Sequence, residues 1–303
     1  MTGPSLPASF LGSMASADAA LGERIARGWL SFCPGMALVG EAAERVDVIP
    51  LQLLTALVEL TVQAPDAQTR AMARLQRCQA QRQRLDAWGQ QLLHAWQRQG
   101  DLDRALDWAG QRRASWSEAL PAMRLHNRWH AAVLSLEMGQ PDRAIPALAE
   151  FRGETGTGPL LDAIALGWWL DLSAAPQETL WSALVPLVQE RLCLPLIPFI
   201  ACHYAWCLGR AGQQQDLETL LDHCRDLARV AGPEAGWCWR PAGLTLVEAI
   251  GAAACGRRTT AWELLAPIRG WIDHAGGSDA QARVLHQTVR SLEPTRGGQD
   301  ELP

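Results

Sequence analysis

His126-Asn127-Arg128-Trp129-His130 sets two imidazoles four residues apart, and on a helix positions i and i+4 share one face. Imidazoles so placed can bind one metal ion, and a third ring with a carboxylate would complete a ligand set for zinc or iron. His94, His203 and Asp162 are the groups the chain offers for that completion. The same rings can instead form a polar seam between helices, neutral and satisfied by one another and by backbone carbonyls. An H-x-x-x-H without the internal Glu of the zinc proteases has little specificity. A seam or a ligand contact therefore fits it better than a metal site, and no metal or cofactor is assigned.

Projection at 100° per residue separates the histidines. His126 lies on a stripe with Trp129 and Val133, and His130 borders it. His203 sits in the apolar line Leu196, Ile200 and Cys207, which predicts burial. His94, flanked by Gln90 and Arg98, lies opposite the packing stripe, on the face that lines the groove in helical-hairpin arrays. His223, His274 and His286 read as ordinary surface or seam residues. Fourteen Trp against one Tyr mostly fill seams between helices. Trp168-Trp169 is the exception, because two adjacent rings cannot enter one seam, so one is expected to face the groove. The candidate lining is thus His94, His126, Asn127, His130, Asp162, Trp169 and His203.

The elements that must position these groups are helices, since helical periodicity recurs from about Ser16 to Leu292 with almost no strand signal. The pattern predicts helices over 17–29, 49–63, 66–81, 85–99, 102–113, 118–138 and 141–151. It continues with 160–172, 179–191, 196–210, 216–229, 242–255, 260–275 and 279–292. Ser115–Glu118 and Ser278–Gln281 fit the capping box, the second after Gly276-Gly277. One device appears four times: a Gly closes a helix, and five residues later a small or apolar residue enters the next. The pairs are Gly100 with Ala105, Gly139 with Ala144, Gly212 with Leu217, and Gly256 with Ala261. The Gly supplies a left-handed cap and the small residue lets antiparallel helices approach. Intervals of 39, 73 and 44 residues match one, two and one helical hairpins. The expected organisation is a flexible 1–15, one helical-repeat domain over 16–293, and a disordered tail over 294–303. The connections 31–48 and 232–241 are the least regular.

Composition narrows the function classes. With 303 residues, 48% hydrophobic and 19% charged, the chain supports a sizeable core. All 27 basic residues are Arg, the formal net charge is −5 and no basic cluster stands out, which argues against nucleic acid. Eight cysteines without a C-x-x-C pair read as small buried hydrophobes in a reducing compartment. Residues 1–16 lack a basic stretch followed by an apolar core, and the run Leu194–Leu208 is cut by Pro195, Pro198 and His203. A cytoplasmic protein without a membrane partner is expected.

Leu125-His-Asn-Arg-Trp-His-Ala131, followed by Leu136-Glu-Met-Gly139, resembles the tetratricopeptide repeat protein 38 family, whose members read H-N-x-W-H-x-A and then L-E-x-G. Further similarities keep chain order: His94 with Gly100 and Trp116, Leu161-Asp162-Ala163, Phe199 with His203, Leu264–Arg269 and Gly276–Gln281. The resemblance covers 85–292, with 16–84 divergent. It implies an all-α fold, a right-handed superhelical array of helix-turn-helix repeats. Departures accompany it: Gln90 stands where the family has a first His, Ile200-Ala201 replace an N-D pair ahead of Cys202-His203, and Trp169 replaces an Arg. Ala282-Arg283 also stands where the family has Arg-Asp, and much of the family's N-terminal half has no counterpart. The chain resembles a shortened member with a more apolar centre.

Two functions follow as expectations. The first is a non-catalytic scaffold that binds a peptide, a protein or a small apolar ligand in a concave His- and Trp-lined groove. The second is an enzyme, metal-dependent in one version, with a His94/His126/His130/Asp162/His203 site. No phosphate-cradling Gly loop, dinucleotide fingerprint or Ser-His-Asp arrangement appears in a suitable context.

Overall fold

A computed structural model describes residues 16–30, 41–42, 44–45, 49–62, 70–71, 73–74, 96–97, 99–114, 116, 121–193, 197–230, 238–239 and 242–294. Every regular element among them is helical. The α-helices are α1 (Ser16–Leu30), α2 (Ile49–Val62), α3 (Leu102–Arg112), α4 (Pro121–Glu137), α5 (Pro141–Ala144) and α6 (Thr157–Leu172). They continue with α7 (Glu178–Gln189), α8 (Pro198–Arg210), α9 (Gln214–Val230), α10 (Gly243–Ala254), α11 (Arg258–Ile268) and α12 (Asp279–Leu292). Among the described residues no helix is long and apolar enough to cross a membrane. The expected helices over 66–81 and 85–99, the capping box at Ser115, the 31–48 and 232–241 connections and both termini lie wholly or largely outside the described residues.

All four glycine turns form, and each closes in the same way. Gly100, Gly139, Gly212 and Gly256 have φ of 76°, 72°, 69° and 77°, the left-handed region that glycine enters without a Cβ penalty. At Gly139 the glycine N–H donates to the Leu136 carbonyl at 2.9 Å, and the next N–H, of Gln140, reaches back to Ser135 at 2.8 Å. The equivalent pairs recur at Gly100, Gly212 and Gly256. This is the Schellman closure, which satisfies carbonyls that a helix end would leave orphaned. The residues five positions on, Ala105, Ala144, Leu217 and Ala261, are all fully buried.

A fifth copy of the turn divides the 73-residue interval. Ala174 has φ 57°, its N–H donates to Asp171 at 3.3 Å, and Ala175 N–H reaches Leu170 at 2.9 Å. The intervals along the chain become 39, 35, 38 and 44 residues. An alanine in this conformation costs roughly 1 kcal/mol relative to glycine, and the residue type carries no turn signal in the sequence. Close approach in this hairpin comes from the other helix. A Cβ on Gly167 of α6 would lie 2.4 Å from Leu180 and 2.8 Å from the Trp181 ring of α7.

Two expected helices change type before they end. After α5 the chain runs as a 3-10 helix over Ile145–Phe151, and after α11 over Arg269–Ala275. Pro146 and Pro267 stand at these transitions, and a proline contributes no N–H to the i→i−4 ladder. Ahead of α12, Gly276 and Gly277 both have positive φ, and Ser278 and Gln281 form the expected reciprocal cap at 3.0 and 3.3 Å.

The chain divides into two compact units, 1–166 with 276–281, and 167–275 with 282–303. In the first, α3 packs on α4, and α4 on α5 and the following 3-10 segment. Ala105, Ala109, Trp116 and Leu134 form a core there, flanked by Trp96 and Trp108. The α1–α2 region of this unit holds a buried polar chain. Arg74 donates to Glu59 at 2.9 Å and to Gln52 at 2.6 Å, and Gln52 donates to the carbonyls of Ala42 and Arg45 at 2.9 Å. In the second unit α7 to α11 pack as successive hairpins, with α10 also against α8. Gly209 on α8 makes that approach possible, since a Cβ there would lie 2.6 Å from Ala254 Cβ on α10.

Candidate functional site

His126 lies in α4, partly buried beside Leu125, Trp129 and Val133, whose burial fixes the rotation of the helix. That rotation aims its ring at Asp162 on α6. Nδ1 lies 3.1 and 2.9 Å from the two carboxylate oxygens. A carboxylate only accepts, so Nδ1 carries the hydrogen, and in the neutral ring that leaves the lone pair on Nε2. Asp162 is almost fully buried, whereas the His126 side chain retains 15% of its surface. Nε2 makes no hydrogen bond among the described residues.

The surrounding rings lock this orientation. Trp129 lies parallel to His126 at 5.3 Å between centroids, and His130 meets His126 edge-on at 4.6 Å and Trp129 at 4.8 Å. His130 is fully buried and Asn127 nearly so. Arg128, on the opposite side of α4, pairs with Glu150 of the 3-10 segment. Sequence reasoning thus placed His126, His130 and Asp162 together, and the structure does so in the first unit. It makes the relation unequal, with Asp162 serving His126 and His130 packed against both rings of the stack.

The remaining expected residues divide by place. His94, together with the Gln90 position, lies outside the described residues. Trp169 and His203 belong to the second unit. Contrary to the expectation that one ring of Trp168-Trp169 faces a groove, both are buried, because residues 159–170 of α6 are enclosed on every side and no face is left to solvent. Trp168 stacks on Trp206 at 4.5 Å and meets His203 edge-on at 5.5 Å. His203 is fully buried, as its apolar line predicts, and donates from Nδ1 to the Phe199 carbonyl at 2.7 Å. Its own burial pushes the imidazole down to about 4, against the opposing effect of the Phe199 hydrogen bond.

Sequence reasoning missed a second polar cluster beside that stack. Asp171 Oδ2 accepts from Trp206 Nε1 at 3.1 Å and from Arg210 Nε at 2.9 Å. Burial holds the Asp171 carboxyl above the usual range, with Arg210 pulling the other way. Trp206 and Arg210 are spaced i, i+4 on α8, a pattern visible in the chain, but their acceptor is 35 residues away in sequence.

Four cysteines, Cys202, Cys207, Cys224 and Cys238, are buried small hydrophobes as expected, while Cys193 is exposed and Cys255 half-buried; all six are free thiols. Burial pushes the Cys207 and Cys224 thiols up to about 12, which leaves little thiolate for chemistry. Cys33 and Cys78 lie outside the described residues. Among the described residues no group of three or more His, Cys, Asp or Glu is placed to hold a metal ion. A shallow surface depression in the second unit is lined by residues including Leu246, Ile268, Ile272, His274 and the exposed Trp271. No expected groove residue lines that depression. No protein-family model matches the chain, and no solved structure matches it.

Proposed function

We propose that this chain is a non-catalytic helical-repeat scaffold of the tetratricopeptide repeat protein 38 kind, its hairpins wound into a right-handed array. It binds a peptide, a partner protein or a small apolar ligand on the face that carries His126. The observation that carries the reading is the recurrence of one turn, five times at intervals of 35 to 44 residues, with a single hydrogen-bond pattern. Repeats of that length stack into extended binding surfaces. Of the described lining residues His126 alone keeps appreciable exposure, so direct contact falls to it. Asp162 and His130 hold it in place from buried positions, and Asn127 is buried beside them on α4.

Ligand-observed NMR with a set of apolar fragments and short hydrophobic peptides tests this reading. At least one binder is expected whose affinity drops about tenfold in His126→Ala, the worth of one hydrogen bond plus contact, and is unchanged in His223→Ala. Binders indifferent to both substitutions, or none at all, would remove the site from the account.

One observation favours the enzyme as a second reading. A buried carboxylate orients the His126 imidazole and leaves its outer nitrogen without a hydrogen bond among the described residues, the arrangement a general base requires. In its metal-dependent version that reading further needs His94, which lies outside the described residues, to complete a ligand set.

A further inference from the structure

Two aspartate–histidine pairs among the described residues are built in opposite senses. His286 faces Asp273 with Nε2, at 2.6 Å, so the nitrogen left over is Nδ1, crowded by its own Cβ and backbone. His126 faces Asp162 with Nδ1, so the nitrogen left over is Nε2, at the outer end of the ring. The supports differ too. The Asp273 and His286 side chains are 67% and 37% exposed, whereas Asp162 is 5% exposed and, among the described residues, pairs with His126 alone. A buried acceptor holds one tautomer and strengthens the lone pair across the ring, while a solvated one competes with water.

From this contrast we propose that His126 is a reactive imidazole, a modification site whose Nε2 attacks neutral acyl electrophiles. The inference rests on the Asp162 pairing alone and holds whether or not the hairpins form a ligand-binding array. The class of electrophile follows from charge. Asp162 brings a carboxylate, and no arginine shares it among the described residues, since Arg128 is committed to Glu150. Anionic acyl or phosphoryl donors would meet that carboxylate uncompensated, and neutral esters and carbonates would not. Three other described imidazoles are less suited. His203 and His130 are fully buried, and Nε2 of His223 is enclosed.

The step is balanced without a further reactant. The Nε2 lone pair forms a bond to the acyl carbon, and the leaving group departs with the electron pair of its C–O bond. The positive charge developing on the ring is met by Asp162, and the Nδ1 proton then passes by way of that carboxylate to water. The product is a neutral N-acylimidazole.

Diethyl pyrocarbonate is the probe, with peptide mass spectrometry of the full chain reporting the rate at each histidine. His126 is expected to react faster than His286 although it is the less exposed of the two. Asp162→Asn should slow His126 about tenfold, the lower end of what losing such a partner costs a working imidazole, and leave His286 unchanged. Asp273→Asn should leave His126 unchanged. The proposal is overturned if His126 reacts no faster than His286 in the wild-type chain, or if its rate survives Asp162→Asn at unchanged circular dichroism. Should Asp162→Asn not fold, the wild-type ranking alone decides.

Discussion

Replacing Glu59 with leucine should destabilise the chain by about 3–5 kcal/mol, because it strips a buried arginine of its counter-charge. Glu59 and Arg74 have side chains only 4% and 10% exposed and meet at 2.9 Å. Arg70 approaches the same carboxylate at 3.2 Å, but from solvent, so it cannot carry the pair by itself. Arg74 is also bound to Gln52, whose amide ties two carbonyls of the 42–45 segment, so losing Glu59 loosens several contacts at once. The double replacement Glu59→Leu with Arg74→Met should recover most of the loss, since the cost lies in the unpaired charge and a matched apolar pair removes it. Urea unfolding of the full chain at pH 7 checks both. A single variant within about 1 kcal/mol of wild type, the worth of an exposed ion pair, would mean that water reaches Arg74.

Acid should weaken the second unit through His203, well before general protonation of carboxylates. The folded imidazole titrates at about 4, lowered by its burial between Phe199 and Trp168, whereas an unfolded histidine titrates near 6.5. Between those values the unfolded chain binds more protons than the folded one, so stability rises with pH across that window and falls as pH drops through it. This group is indifferent above the window and has exerted its full effect below it. Its contribution across the window is about 3 kcal/mol. His203→Phe keeps the ring volume and removes the titration. Urea midpoints at pH 7 and pH 4.5 should therefore differ less for the variant than for the wild type. Equal differences would place a charged or hydrated His203 in the folded state.

The helices were legible because their punctuation is local. Gly139 and Gln140 form their turn from carbonyls three and five residues back, and the Ser278–Gln281 cap closes within four residues. Ala174 was not legible, since nothing in an alanine announces a left-handed φ; only the doubled interval hinted that a turn was missing. The 3-10 endings were half-legible, as Pro146 and Pro267 mark a lost donor without saying whether the chain stops or tightens.

At the site the chain gave residue types and not their ranking. Projection puts His126 on the apolar stripe and His130 at its border, yet His130 is the fully buried ring and His126, facing α6, is the partner of Asp162. Long-range pairs such as Asp171 with Trp206, or Glu59 with Arg74, depend on how helices are brought together, which periodicity within a helix does not encode.

The account turns on Asp162 fixing His126 as the Nδ1–H tautomer with an unprotonated Nε2. Long-range proton–nitrogen correlation of the imidazoles in uniformly labelled protein, at a pH where His126 is neutral, reads this directly. His126 should show a protonated Nδ1 and an unprotonated Nε2, and Asp162→Asn should return it to a mixture of tautomers. A wild-type His126 with its proton on Nε2 would contradict the pairing and, with it, both the proposed contact site and the proposed reactivity.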